Sequence, residues 1–540
     1  MGAPTPMRKG SAWDAATHQQ NNGRFAATLA PMEIEFKFCI PAARLPAVEA
    51  AVRRGAVVRT RLQARYFDTA DRALASSGIV LRLRKEGRRW VQTAKASGDG
   101  PLHREEHNVD LGVARAGVVP APDAQRHHGT PVGERLAKAL AGAGAPLAEI
   151  YATDIWRLTR NLRAGGSTVE LALDLGKVVA HAGTPEARES PVCELELELQ
   201  RGPVSGLVAL AQRWSQQHGL WFSTVSKAER GERLLAGLAA VPAVKALPPR
   251  LSQDAPPDGA AVQRAVVASC LAQMLPNASE IAAGSEDEEQ VHQLRIGIRR
   301  LRTALRELGE LAPAAFDAAW EPPLVEAFRA LGALRDRVQV VQRMAPRLRE
   351  AGAPAISLPA DNAPSPPAGD AVRAPAFQAV LVALIGFTAA EVPNVSEPSL
   401  NPKATLRLLR KRLQQLHSKT VRDGKRFEML AAESQHRARK RLKRLRYLGE
   451  FVAPLFVDTG AKRYLARLGP AQDALGEFND EAVACALYRE AVERDAGAWF
   501  AVGWFSARRS AGARACRKAL GGIAGGPRFW RERKRGGAGD

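Results

Sequence analysis

The chain has 540 residues, and at about 100–200 residues per domain this length predicts several domains and excludes a single small fold. Its 78 Lys and Arg residues against 56 Asp and Glu give a net charge of +22, which indicates an anionic partner. Hydrophobic residues make up 46% of the chain, which excludes wholesale disorder, whereas aromatic residues make up only 6%, which disfavours a nucleic-acid partner that stacks its bases.

The cysteines and the apolar runs point to the compartment. The five cysteines form no CxxC pair, so the sequence predicts neither a disulfide framework nor a zinc site and favours a reducing compartment. No apolar run approaches the roughly 18 residues of a membrane helix. The sequence therefore predicts a soluble, cytoplasmic protein without a membrane partner.

Changes in periodicity divide the chain. Residues 1–31 are polar and aperiodic, which predicts a disordered leader or an upstream misassigned start. Residues 32–240 hold period-two runs typical of strands, with helical patterns among them. Residues 241–258 are rich in Pro, Asp and Gly and predict a linker. Residues 259–525 are almost entirely helical in pattern, and residues 526–540 form a basic tail. The predicted fold class is α+β, with an antiparallel β domain followed by an all-α domain.

The predicted strands carry ionisable side chains at every second position, so each strand has one charged face. These faces hold Glu33, Glu35 and Lys37; Arg82 and Arg84; Lys95; Glu170 and Asp174; and Glu194, Glu196 and Glu198. Either an open sheet with a solvated face or a barrel with a charged lumen can tolerate this pattern. Because neighbouring like charges repel, the sorting of acids and bases favours a lumen filled by a divalent metal, Mg²⁺ or Mn²⁺, and a phosphate chain.

An ordered set of motifs in this region resembles the CYTH family of triphosphate tunnel metalloenzymes. The motifs are the ExExK of Glu33 to Lys37, the YFDT of 66–69, the LRLR around Arg82 and Arg84, the TAK ending in Lys95, the TDIWR ending in Arg157, the CELELEL of 193–199 and Ser226–Lys227. The resemblance covers about 32–238. It implies an eight-stranded antiparallel tunnel with covering helices, which hydrolyses the terminal phosphate of triphosphates or, in some members, cyclises ATP.

The resemblance also implies roles for residues. The metal ligands would be Glu33, Glu35, Glu194, Glu196 and Glu198. The triphosphate would be bound by Lys37, Arg82, Arg84, Lys95, Arg104, Glu106, Arg157 and Lys227. Glu33, Glu35, Lys37 and Arg84 would be catalytic, and Glu170 and Asp174 fit the acidic strand before the last one.

The helical half repeats itself at an offset of 144 residues. His292, Arg295, Arg299 and Arg302 overlay His436, Arg439, Lys443 and Arg446, and the LGxxRD of 331–336 overlays the LGxxND of 475–480. Positions 0, 3, 7 and 10 share one helix face, so each set forms a basic stripe. One interpretation is that each stripe is simply a basic helix face exposed to solvent. Two facing stripes would instead form a groove for a long polyanion, with affinity rising toward pH 6 as the histidines gain protons.

This repeat resembles the CHAD domain, a helical module that commonly follows a CYTH domain. The match spans about 259–525 and implies two four-helix bundles, related by a pseudo-twofold axis, that bind inorganic polyphosphate. One departure is that Arg337-Val338 replaces the further acidic residue usual after the first Arg-Asp pair.

The sequence thus predicts a metal-dependent inorganic triphosphatase that splits tripolyphosphate into pyrophosphate and phosphate and carries a polyphosphate-binding module, with polyphosphate granules as one location. The alternatives are a non-catalytic polyphosphate-granule protein, and an adenylate cyclase or nucleoside triphosphatase that uses the same tunnel. The intact glutamates favour the enzyme, since binding alone needs cations but not carboxylates. Nucleic acid is disfavoured as a partner, and protein partners are not indicated.

Overall fold

The computed structural model describes residues 34–531 except 101–102, 114–117, 143–144, 314, 358–366, 391–398 and 457. The predicted leader, Glu33 and most of the basic tail lie outside the described residues, as does the side chain of Arg104.

The N-terminal half is built on one antiparallel sheet of nine strands in the order β5-β4-β3-β2-β6-β7-β8-β1-β9. The strands are β1 (Glu35–Cys39), β2 (Val58–Asp68), β3 (Ile79–Glu86), β4 (Arg89–Gly100), β5 (His103–Val113), β6 (Ala148–Ala164), β7 (Ser167–Ala180), β8 (Arg188–Arg201) and β9 (Trp221–Phe222). The predicted eight strands correspond to β1–β8. The ninth, with only two residues, is too short to show a period-two pattern.

Alternation along the strands gives this sheet two unlike faces. On one face, Phe36 and Phe38 of β1 and Leu195 and Leu197 of β8 are fully buried, where they pack in one core with Trp214. On the other face, side chains of β1–β8 line a common cavity. The sheet therefore curves around its charged face and packs its apolar face against helices.

Among the residues that the structure describes, five helices accompany the sheet and ten form the C-terminal half. The first five are α1 (Leu45–Val52), α2 (Ala73–Ser76), α3 (Pro131–Ala141), α4 (Val204–His218) and α5 (Lys227–Ala236). The others are α6 (Gly259–Ala282), α7 (Glu288–Leu308), α8 (Glu321–Ala330), α9 (Ala333–Glu350), α10 (Ala368–Arg373), α11 (Pro375–Ala389), α12 (Pro402–Lys425), α13 (Ala432–Val452), α14 (Asp458–Ala491) and α15 (Ala498–Ala524).

The helical half shows the duplication in its element boundaries. Helix α7 spans 288–308 and α13 spans 432–452, an offset of 144 residues at both ends. Each is followed by a 3-10 turn, at 309–311 and 453–455, again 144 residues apart. The preceding helices also begin alike, since Asp258 caps α6 and Asn401 caps α12 by accepting a hydrogen bond from a first-turn N–H.

The two halves are joined by a shared hydrophobic core, not only by the chain between them. Leu207 and Leu210 of α4 belong to the same buried cluster as Leu381 and Ile385 of α11. The connecting segment also lies on α6, where the Asn277 side chain bonds the backbone N–H and C=O of Val244 at 3.1 and 2.9 Å. The tunnel domain (β1 to α5) and the helical domain (α6 to α15) are therefore packed firmly together.

No helix in the described part of the chain is both long enough and apolar enough to cross a membrane.

Candidate active site

The charged face of the sheet encloses a cavity of about 450 Å³, here called the tunnel cavity. Six cations line it, contributed by β1, β3, β4, β6 and α5: Lys37, Arg82, Arg84, Lys95, Arg157 and Lys227. Glu106 of β5 lines it as well. The structure thus brings together every residue of the predicted triphosphate-binding set whose side chain it describes.

A buried network of ion pairs holds the basic side of the cavity. Arg157 donates two hydrogen bonds of 2.6 Å to the carboxylate of Asp174. The Nζ of Lys227 lies 2.8 Å from Asp174, 3.0 Å from Glu194 and 2.8 Å from Glu196. Burial by itself lowers the pKa of Lys227, but Glu196, Glu194 and Asp174 raise it well above its ordinary value. Lys227 is therefore charged at neutral pH.

The position of Glu194 differs from that of the other predicted metal ligands. Its side chain is fully buried, and its carboxylate accepts hydrogen bonds from Lys227 at 3.0 Å and Arg230 at 2.9 Å. Glu35, Glu196 and Glu198 line the cavity. Among the residues that the structure describes, no three His, Cys, Asp or Glu side chains are grouped so as to hold a metal ion. Glu33, the fifth predicted ligand, lies outside the described residues.

A row of carboxylates nevertheless crosses three neighbouring strands. Glu198 of β8 lies opposite Glu35 of β1 on one side and opposite Glu170 of β7 on the other. Burial, followed by the negative charges of Glu170 and Glu35, raises the pKa of Glu198. Carboxylate oxygens are the ligands that Mg²⁺ and Mn²⁺ prefer, so the donor chemistry of this row fits a divalent cation.

The two arginines of β3, Arg82 and Arg84, lie close enough for their positive charges to repel each other. Burial and the neighbouring Arg82 lower the pKa of Arg84, whose guanidinium bonds to Glu86 at 2.6 Å. Arg82 donates a hydrogen bond to the hydroxyl of Tyr66, to which the sequence assigns no role, and the Nε of Arg82 is buried without a partner. Like charges held together in this way favour an anionic ligand.

The helical domain holds a larger cavity of about 1680 Å³, here called the basic groove. Seven of the eight predicted groove residues line it: His292, Arg295, Arg299, Arg302, His436, Arg439 and Lys443. Arg446 does not follow the prediction, because its guanidinium bonds to Glu450 one turn along α13 at 2.5 Å and to Gln472 at 2.8 Å.

The two basic stripes meet at positions that are equivalent in the repeat. Lys443 is the counterpart of Arg299 at the offset of 144, and burial followed by the charges of Arg299 and Arg439 lowers the pKa of Lys443 to about 7. Burial and neighbouring bases also lower the pKa of His436. Lys443 is therefore a second kind of groove base, besides the histidines, whose charge depends on pH near neutrality.

A glycine of the repeat has a packing role in the first half. A Cβ at Gly332 would lie 2.6 Å from a guanidinium nitrogen of Arg295, which stacks over Phe328 at 5.0 Å. Gly332 thus leaves room for a buried groove arginine. Nothing lies near Gly476 in the second half, so the structure gives no reason for glycine there.

Sequence reasoning missed several basic residues of the groove. Lys440, Arg441 and Arg444 of α13 and Arg412 and Lys419 of α12 also line it. The signal available for them was the charge of residues 401–450, which hold 16 basic and only 4 acidic residues. In the tunnel domain, sequence reasoning missed Arg230, a partly buried partner of the buried Glu194.

A curved sheet around a cation-lined cavity and a duplicated helical domain with a basic groove define a two-domain protein. The CYTH domain family matches residues 31–231 and the CHAD domain family matches residues 265–489. The chain therefore contains a CYTH domain followed by a CHAD domain.

Individual proteins also resemble the chain. An inorganic triphosphatase from Haemophilus influenzae is 29% identical over 169 residues, which span 31% of this chain and 44% of that relative. The CHAD domain of the plant Ricinus communis shares 26% identity over 52% of this chain and 96% of that chain, with a TM-score of 0.38. A Hippeastrum protein, named a putative adenylyl cyclase with a dominant triphosphatase activity, shares 17% identity over 38% of this chain and 97% of that chain, with a TM-score of 0.28.

Proposed function

We propose that the protein is a metal-dependent inorganic triphosphatase that splits tripolyphosphate into pyrophosphate and phosphate. The observation that carries this proposal is the convergence of six cations from five elements on one cavity, beside a row of carboxylates. The named activity of the Haemophilus influenzae relative supports it.

In the proposed reaction, a water oxygen bonds to the terminal phosphorus and the bond from that phosphorus to its bridging oxygen breaks. The bridging oxygen leaves with pyrophosphate. Lys37, Arg82 and Arg84 bind the phosphoryl oxygens and stabilise the charge that develops on them. Glu35, Glu170 and Glu198, the row of carboxylates across β1, β7 and β8, would hold a divalent cation together with the predicted ligand Glu33. A bound divalent cation would neutralise phosphate charge and lower the pKa of a bound water.

The basic groove is proposed as the site for long-chain polyphosphate. Lys440 and Arg441 widen the basic lining beyond the two predicted stripes. Such a surface binds a polyanion through its charge, so the affinity should fall steeply with salt. The equivalent positions 299 and 443 of the repeat both carry a basic residue, and both residues line the groove.

The test is phosphate release from tripolyphosphate, ATP and long polyphosphate, each with Mg²⁺ and with Mn²⁺. Glu35→Gln keeps the side-chain shape but removes a carboxylate, so the metal concentration for half-maximal rate should rise about 10–100-fold. Glu189→Gln is the matched control, since Glu189 is an exposed glutamate at the end of β8 that pairs with Lys177.

Three results would contradict the proposal. If Glu35→Gln kept the wild-type rate at low Mg²⁺, β1 would not contribute to the metal site. Polyphosphate binding without any phosphate release by the wild type would indicate the granule protein. Formation of cyclic AMP from ATP as the main reaction would indicate the cyclase.

A further inference from the structure

The segment between α4 and α5 carries one wall of the tunnel cavity. Thr224, Ser226 and Lys227 line the cavity. The segment also supports β1, because Ser223 N–H donates to the Lys37 carbonyl at 2.9 Å and the Lys37 Nζ donates to the Val225 carbonyl. The placement of two cavity lysines thus depends on the path of residues 222–227.

The helical domain holds this segment from its other side. The Oε1 of Gln378 on α11 accepts a hydrogen bond of 2.8 Å from Phe222 N–H. The Oγ of Ser279 on α6 accepts hydrogen bonds from Thr224 N–H at 2.9 Å and from the Thr224 hydroxyl at 3.2 Å. Both side chains are buried, with exposures of 1% for Gln378 and 2% for Ser279.

A third polar contact joins the helical domain to the last turn of α5. Glu280, next to Ser279, forms an ion pair with Arg233 of α5. Gln378 is itself held, since its Nε2 donates to the Val372 carbonyl at 2.8 Å. Because each of these groups is buried, loss of one partner leaves an unsatisfied donor or charge, and the segment must shift to restore a bond.

We propose that Ser279 and Gln378 of the helical domain are positioning residues for the tunnel cavity. They fix the backbone at Thr224 and Phe222, and through it the ammonium groups of Lys37 and Lys227. The helical domain thereby completes the tunnel wall in addition to carrying the basic groove. This inference rests on the proposed function, because the lysines matter only where the cavity binds triphosphate.

Two variants of the full chain test it. Ser279→Ala and Gln378→Met remove the acceptors with little change in volume. The matched controls are Ser269→Ala and Gln273→Met, because Ser269 and Gln273 also lie buried on α6 but bond only to the Leu247 carbonyl and within the helical domain. Tripolyphosphate hydrolysis gives KM and kcat, melting gives stability, and hydrogen–deuterium exchange reports on residues 220–227.

We expect the KM for tripolyphosphate to rise about tenfold in Ser279→Ala and Gln378→Met, with kcat changed less, because misplaced binding groups weaken the grip on the substrate. Exchange at residues 220–227 should speed up in these variants and stay unchanged in the controls, even where all four melt at a similarly lowered temperature.

Unchanged exchange at residues 220–227, or a KM that shifts no further than in the controls, would overturn the positioning role while leaving the triphosphatase intact. A wild-type protein that hydrolyses no tripolyphosphate would refute the proposed function instead. In that case the exchange measurement would still decide whether the helical domain holds the segment.

Discussion

Arg84 offers a test in which activity and stability should move apart. Its guanidinium lines the tunnel cavity, and its folded environment disfavours its charge, because burial and the neighbouring Arg82 lower its pKa. Arg84→Met removes the charge but keeps most of the aliphatic stem. The expected result is a large loss of activity from a protein that is as stable as the wild type or more so.

The magnitude follows from the role proposed for this group. Loss of one preorganised donor to a phosphoryl oxygen costs about 2–4 kcal/mol of transition-state stabilisation. Since about 1.4 kcal/mol is tenfold in rate, kcat/KM should fall by about 30-fold to 700-fold. The stability effect has the opposite sign, because a base whose folded pKa is lowered destabilises the folded state when it is charged.

The assay is steady-state hydrolysis of tripolyphosphate together with thermal melting in the absence of substrate. Arg65→Met is the control, because Arg65 lies on the same pair of strands but is half exposed and pairs with Glu149 at 2.8 Å. An unchanged kcat/KM for Arg84→Met would place this arginine outside the site. A clear loss of melting temperature would refute the electrostatic reasoning.

Two further predictions concern the basic groove. Arg299→Glu combined with Lys443→Glu should abolish the binding of long polyphosphate, as measured by calorimetry. The control is Arg514→Glu with Lys518→Glu, which changes two exposed bases of α15 and should only weaken binding. Equal losses in both double variants would mean that binding depends only on the overall charge of +22. The pKa of Lys443 is lowered to about 7, so its charge is lost as the pH rises through neutrality. The affinity for polyphosphate should therefore fall between about pH 6 and pH 8, and Lys443→Arg should flatten this dependence. An equally steep pH profile in that variant would assign the titration to another group.

Much of the fold and of the site was available from the sequence because both depend on local periodicity. Charged residues at every second position placed Lys37 on the charged face of its strand, and Arg82 and Arg84 on the charged face of theirs. The sheet curves around these charged faces. The motif repeat at an offset of 144 residues is matched by the bounds of α7 and α13. Local patterns of this kind survive folding because they set which face of each element can be buried.

Tertiary structure decided which neighbour each charged group takes. Glu194 and Glu196 belong to one strand pattern, yet Glu194 turns to Arg230 of a helix that follows in the chain. Arg302 pairs with Glu321 of α8 and lines the groove, whereas its repeat counterpart Arg446 pairs with Glu450 one turn along α13. Sequence alone shows no such choice, since it depends on distances between side chains and not on their order.

The joining of the two domains was also beyond the sequence. A Pro-rich stretch at 241–258 predicts a linker, but packing of α4 on α11 and the bonds of Ser279 and Gln378 come from residues far apart in the chain. Their contacts carry no periodic signal, because a single buried hydrogen bond needs only one residue on each side. The charged faces of the strands and the helical repeat therefore follow from the sequence alone. The pairing of charged side chains and the shared wall of the tunnel cavity follow only from the tertiary structure.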